Sequence, residues 1–167
     1  MSDKIYNVLF ICTGNSARSI MAEVIMNQLG RERFHAYSAG SHPRGEIHPM
    51  TREILSEQRY NLGELRSKSW DEFAQPDAPL MDFIFTVCDN AAGEACPAWP
   101  GQPITAHWGF ADPATVQGNH DKQHKAFMTA QMQIANRIRL FLSLPIDKID
   151  RMSLQAKLRT LGQQQET

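Results

Sequence analysis

The chain has 167 residues, 42% hydrophobic and 21% charged, with 17 basic against 18 acidic side chains. That length implies one domain with its own core. The balance excludes a disordered chain, a collagen-like fibre and a disulfide-rich miniprotein, and no basic surplus or polybasic run points to nucleic acid or an anionic membrane.

The first apolar run, residues 8–11, is far too short for a signal peptide or a membrane span. A cytoplasmic location is therefore expected. There, three cysteines (Cys12, Cys88 and Cys96) read as reduced thiols for catalysis or metal binding rather than as structural bridges.

Residues 6–11 combine β-branched and aromatic side chains ahead of a glycine-bearing turn, which predicts a buried strand. Residues 16–29 set Ile20, Met21, Val24, Ile25 and Leu29 at helical spacing, with Gly30 as the stop. A second strand is expected over 34–38, ended by Ala39-Gly40. A loop rich in Ser, His, Pro and Gly then runs to Pro49, and a helix follows over 50–59. Ser69 can cap a short helix. Third and fourth strands are expected at 83–87 and 104–107, with an irregular segment between them. A long helix over 122–142 puts Phe127, Ile134, Ile138 and Phe141 on one face. Leu144-Pro145 interrupts it, and a last amphipathic helix is expected over 147–161, followed by a frayed tail. Alternating strands and helices predict an α/β fold: a parallel sheet with helices on both faces and right-handed crossovers. No internal repeat or low-complexity tract interrupts the chain.

The chemistry concentrates where the first strand meets the first helix, at Cys12-Thr13-Gly14-Asn15-Ser16-Ala17-Arg18-Ser19. Backbone N–H groups of such a loop, with the helix N-terminus, make an anion site. A thiol placed there is biased toward thiolate. Arg18 can grip two oxygens of a tetrahedral oxyanion through its planar fork. Gly14 allows unusual backbone geometry, Asn15 can pin the loop from within, and Ser19 can donate to the thiolate. The competing reading is a buried cysteine with a chance arginine six positions on.

These residues, with Met21-Ala22-Glu23 and Tyr37-Ser38-Ala39-Gly40, resemble the low-molecular-weight protein tyrosine phosphatase superfamily. Phe85-Thr86-Val87-Cys88-Asp89, Cys96-Pro97 and His107-Trp108-Gly109-Phe110-Ala111-Asp112-Pro113-Ala114 resemble its arsenate reductase branch. The resemblance covers about residues 5–143. It implies a flavodoxin-like fold with a four-stranded parallel sheet. The catalytic domain would be residues 1–145, with 146–167 a helical extension of the same domain.

The resemblance implies Cys12 as nucleophile on arsenate, with Arg18 and the amides of residues 13–19 holding the oxygens. It implies Asp112 as general acid, held extended by Pro113; a plain Asp-Pro turn is the competing reading. Cys88 would attack the Cys12 adduct, reducing arsenic from the pentavalent to the trivalent state and leaving a disulfide. The carboxyl ends of neighbouring parallel strands share one side of the sheet, so Cys88 is expected to face the Cys12 loop. Cys96 would then attack Cys88 and free Cys12, and an external dithiol would reduce what remains. An extended segment holds the Cα atoms of Cys88 and Cys96 ~27 Å apart, whereas a disulfide needs about 5.5–6 Å. The intervening residues must therefore be compact or rearrange. Relatives with three cysteines have one residue fewer between these two. Many relatives also carry a cysteine where this chain has Ala17, but that cysteine is not the nucleophile.

No tightly bound cofactor is expected. The family allows thioredoxin, glutaredoxin with glutathione, or mycothiol with mycoredoxin as electron donor, and thioredoxin suits a Cys88–Cys96 disulfide. Some relatives hold potassium near the loop. The matching oxygens here belong to Asn15, Glu23, Ser38 and Asp71, although a hydrogen bond from Asn15 or Ser38 would also satisfy Glu23. His120 and His124, four residues apart, have no carboxylate-plus-cysteine constellation near them in sequence. They read as a solvated helix start rather than a zinc site. Trp99 and Trp108 either cover the thiol loop or belong to the core.

Two other functions compete. A phosphotyrosine phosphatase would use Cys12, Arg18 and Asp112 alone, but such enzymes place aromatic side chains after Asp-Pro, where Ala114-Thr115 stand here. A sensor of trivalent arsenic or soft metal would use three thiolates, but would leave the anion loop, Arg18 and Asp112 without a purpose.

Overall fold

The structure is a computed structural model that describes residues 4–88 and 99–163. Four strands, β1 (Tyr6–Cys12), β2 (Phe34–Gly40), β3 (Phe83–Thr86) and β4 (Ile104–His107), form one sheet in the order β2-β1-β3-β4. All three pairings are parallel. The helices are α1 (Arg18–Leu29), α2 (Pro49–Glu57), α3 (His120–Leu142) and α4 (Arg151–Gln163). Short 3-10 turns lie at Trp70–Phe73, Pro113–Thr115 and Ile146–Lys148.

Consecutive β1 residues Val8, Leu9, Phe10 and Ile11 are all buried. Successive strand side chains point to opposite faces, so both faces of the sheet are covered. Phe141 of α3 meets Phe34, Phe83, Phe85 and Trp108. Tyr37, of opposite parity on β2, meets Phe73 at 5.5 Å between ring centroids. A smaller cluster of Ile20, Val24, Ile47 and Leu55 joins α1 to α2. The strand order reverses direction between β1 and β3, the place where open parallel sheets form a crevice at their carboxyl ends. Cys12 ends β1 and Cys88 lies just beyond β3, so both reach that crevice.

Several element ends differ from the expected ones, each for a local reason. α1 begins at Arg18 rather than at residue 16, because the Ser16 carbonyl is engaged by His48 N–H. α2 ends at Glu57, two residues early. Arg59 there takes a left-handed φ of 65°, and Tyr60 N–H bonds Leu55 O while Arg59 N–H bonds Ser56 O, a Schellman ending without glycine. α3 begins at His120 because the Asn119 side chain caps Lys122 N–H at 3.0 Å. The last helix begins at Arg151, where Asp150 caps Ser153 N–H, after an extended Ile149. None of the described helices is long and apolar enough to cross a membrane.

α4 packs into the same core. Leu154 and Leu158 are buried, and Trp108 Nε1 donates to Leu158 O at 3.0 Å. A side chain at Gly162 would collide with His107 O, so glycine sets how closely the helix approaches β4. Trp108 stacks on Phe85, 3.8 Å between centroids, and Trp99 meets Trp70 edge-on; Trp108 belongs to the core and Trp99 packs against it. Leu158→Ala is expected to cost about 3 kcal/mol, as a fully buried leucine does, measured by urea unfolding. A loss under about 0.5 kcal/mol would mean that α4 lies loosely on the surface.

Candidate active site

Residues 13–17 bridge β1 and α1, with the carbonyls of Thr13, Gly14 and Ser16 engaged by the loop after β2. His42 N–H donates to Thr13 O at 2.9 Å, Arg44 N–H to Gly14 O at 3.0 Å and His48 N–H to Ser16 O at 2.9 Å. Ser67 Oγ adds a bond to Gly14 O. Across a trans peptide, a carbonyl and the following N–H point opposite ways. The N–H groups of Gly14, Asn15 and Ala17 are thereby turned inward, toward the start of α1. That is the arrangement an anion needs.

Asn15 holds the bend. It is fully buried with φ of 46°, a left-handed conformation that asparagine tolerates. Its Nδ2 donates to Ser19 Oγ at 2.8 Å, and its Oδ1 accepts from Lys68 N–H at 2.9 Å. Ser19, as an acceptor there, keeps its own hydroxyl proton to donate. Gly40 is equally constrained: a Cβ there would lie 2.5 Å from Thr13 O.

The loop walls a cavity of about 200 Å³ that is also lined by Arg18, His42, Arg44, Asp112 and Ala114. Arg18 Nη1 donates to Phe110 O at 2.8 Å, and its Nη2 lies 3.5 Å from Asp112 Oδ2. Asp112 is extended ahead of Pro113 and accepts from Ala114 N–H at 3.0 Å. No Phe, Tyr or Trp among the described residues lines the cavity. Composition did not single out Arg44 and His42. Their signal was position: basic side chains in the loop after β2, at the same end of the sheet as Cys12.

Cys12 and Cys88 are both buried, and their thiols are in hydrogen-bond contact. Thr13 N–H donates to Cys88 Sγ at 3.2 Å. The contact with Cys88, followed by burial, pushes the Cys12 thiol up, while Arg18 and Thr13 pull it down. The sequence suggested a simple bias toward thiolate at Cys12. The structure reverses it: the hydrogen bond with Cys88 and burial outweigh Arg18 and Thr13, and the thiol is raised. Cys12 therefore holds its proton more tightly than a free thiol would.

Glu23 points from α1 toward the back of the loop, accepting from Ser38 Oγ at 2.6 Å. Lys68 Nζ lies 3.8 Å from Glu23 Oε1, with the two side chains 9% and 14% exposed. Burial pushes the Glu23 carboxyl up and Lys68 down, each partly offset by the other. Asp71 is exposed on its 3-10 turn. The four oxygens matched to potassium therefore do not fit a free cation: Asp71 stands outside, and Glu23 already has a tethered ammonium.

Cys12, Arg18, Cys88 and Asp112 thus converge on one crevice, whereas Cys96 lies outside the described residues. His107 turns away, its Nδ1 2.8 Å from Thr86 Oγ1.

A family model for low molecular weight phosphotyrosine protein phosphatase matches residues 7–152. The arsenate reductases of Oceanobacillus iheyensis and Bacillus subtilis are each 33% identical over 141 residues, 84% of this chain and 96% of theirs. A solved structure of a Corynebacterium glutamicum thioredoxin-dependent arsenate reductase shares the fold, with a TM-score of 0.59 and 24% identity. It covers 94% of this chain and 65% of that one.

Lys68→Met is expected to destabilise the protein by about 3 kcal/mol at pH 7, because it strands a buried carboxylate. The Glu23 carboxyl is raised in the folded state, so protonation relieves the penalty. The loss should shrink as pH falls through that raised value, read as the difference in urea unfolding between pH 7 and pH 4.5. An equal loss at both would overturn the pairing.

Proposed function

The chain belongs to the low molecular weight phosphotyrosine protein phosphatase family, and we propose that it is an arsenate reductase working through a cysteine relay. The observation that carries this reading is the second buried thiol in contact with the first. A phosphatase needs one nucleophile in the cradle. A two-electron reduction needs two sulfurs able to join.

Cys12 Sγ attacks arsenic, and the displaced oxygen leaves as water with the proton of Asp112. Arg18 and the inward amides of the loop stabilise charge on the other oxygens. Arg18 exchanges its contact with Asp112 for the oxyanion, which frees the carboxyl for proton transfer. Cys88 Sγ then attacks Cys12 Sγ. The sulfur–arsenic bond breaks, and its electron pair stays on arsenic, which leaves as arsenite. Two thiols become one disulfide while arsenic gains two electrons. Cys88 attacks from its place in hydrogen-bond contact with Cys12.

An external thiol reductant restores the pair. Cys96 carries the oxidising equivalent outward by attacking Cys88, and thioredoxin is the proposed donor, as in the fold relative named for it. Lys68 takes the charge-balancing place of potassium. Asp112, Cys88 and Cys96 in these roles make an enzyme rather than a thiolate sensor, which would have no use for Arg18. The absence of a flanking aromatic ring among the described residues of the cavity argues against phosphotyrosine as the natural substrate.

Arsenate turnover with purified thioredoxin and its reductase tests the reading. Cys12→Ser should abolish it, and Arg18→Lys should lower kcat/KM roughly 10²-fold or more. Cys88→Ser should permit no multiple turnover, and Cys96→Ser should remove thioredoxin-coupled turnover. Replacing KCl by NaCl should leave the rate unchanged. Turnover by glutaredoxin that survives Cys96→Ser would keep the reductase and remove Cys96. Absence of turnover with every donor, beside brisk phosphotyrosine hydrolysis, would make the protein a phosphatase.

A further inference from the structure

Outside the cavity, α2 and α3 each carry two potential metal ligands one turn apart. Glu53 and Glu57 share a face of α2, and His120 and His124 share a face of α3. Packing brings the faces together. His124 Nε2 lies 2.9 Å from Glu57 Oε1, and His120 Nε2 lies 2.9 and 2.7 Å from the two oxygens of Glu53. One ligand atom from each of Glu53, Glu57 and His124 lies within 4.8 Å of the other two. Beyond Asp121 next to His120, the carboxylates Glu53 and Glu57 are supplied by a helix 67 residues away.

The platform beneath is well held. Gln58 and Gln131 exchange reciprocal amide bonds of 2.8 and 2.7 Å between the same two helices. The His48 and Phe127 rings meet at 4.8 Å. The two helices are therefore fixed in register before any ion arrives, and only side-chain rotation is needed to close the ligands. Exposed histidine–glutamate pairs contribute little stability alone. Two oxygens and an imidazole nitrogen converging on one point suit an ion of the zinc class.

We propose that Glu53, Glu57 and His124 form a zinc site, with water completing a tetrahedron and His120 orienting the Glu53 carboxylate from behind. Bonds of about 2.0–2.2 Å draw the three ligand atoms closer than they now stand. The ion joins the first turns of α3 to the second half of α2. Both helices begin where a wall of the cavity ends: residues 41–48 lead into α2, and the segment after Asp112 leads into α3.

Thiols also bind zinc, so the test must separate the two sites. Untagged protein with Cys12, Cys88 and Cys96 all replaced by Ser is titrated with ZnCl2 by calorimetry. One ion per chain with micromolar affinity is expected, weakened about tenfold or more by either His124→Ala or Glu53→Gln. No saturable binding, or affinity unchanged by His124→Ala, overturns the site. A second measurement does not depend on that background folding. Wild-type protein is titrated with CoCl2 and followed by visible absorption. Ligand-field bands that persist after alkylation of the thiols and vanish in His124→Ala support the site. Bands that carry sulfur-to-cobalt charge transfer and disappear on alkylation assign the ion to the cysteines and overturn it. Neither readout requires arsenate turnover, so failure here is distinguishable from failure of the reductase reading.

Discussion

An anion cradle made of backbone needs several consecutive N–H groups facing one way. A peptide unit turns its carbonyl the opposite way, and a buried carbonyl must find a donor. The rest of the site follows from that requirement. Here residues 42, 44 and 48 supply N–H donors to the carbonyls of Thr13, Gly14 and Ser16. The loop after β2 is thus the outer half of the cradle, and its side chains Arg44 and His42 arrive at the cavity with it. Gly40 has no side chain because Thr13 O passes where a Cβ would be. Asn15 takes the left-handed bend and is clamped between Ser19 and the backbone of Lys68.

The second constraint is charge in a buried place. Cys12 and Cys88 meet under low solvent access, where one thiolate is helped by Arg18 and a backbone amide and two would repel. The contact with Cys88 and burial together hold the Cys12 proton, against the pull of Arg18. Behind the loop, Glu23 faces the same cost of burial and answers it with the ammonium of Lys68, carried on the segment that also braces Asn15. One stretch of chain therefore supports both the cradle's shape and its electrostatics.

α4 extends this logic beyond the part of the chain that matches the family, which ends at residue 152. It covers the edge strand β4 and fixes Trp108, which opens the segment leading to Asp112.

The sequence alone determined the alternation of strands and helices, the parallel sheet and the Cys12–Arg18 loop between strand and helix, whereas Asp112 was named only through the family resemblance. The first three rest on local spacing: apolar periodicity and a thiol placed between strand and helix. β4 was legible to the residue, because Pro103 and Trp108 bound a short alternating run. Helix ends were less legible, since a cap such as Asn119 or a left-handed Arg59 competes with propensity on details of one or two bonds. Only the tertiary structure decided that Cys88 touches Cys12, that Lys68 rather than a free cation faces Glu23, and that Glu53 and Glu57 meet His120 and His124. Each of these joins residues more than forty positions apart. Such encounters depend on strand order and helix packing, which local periodicity does not encode.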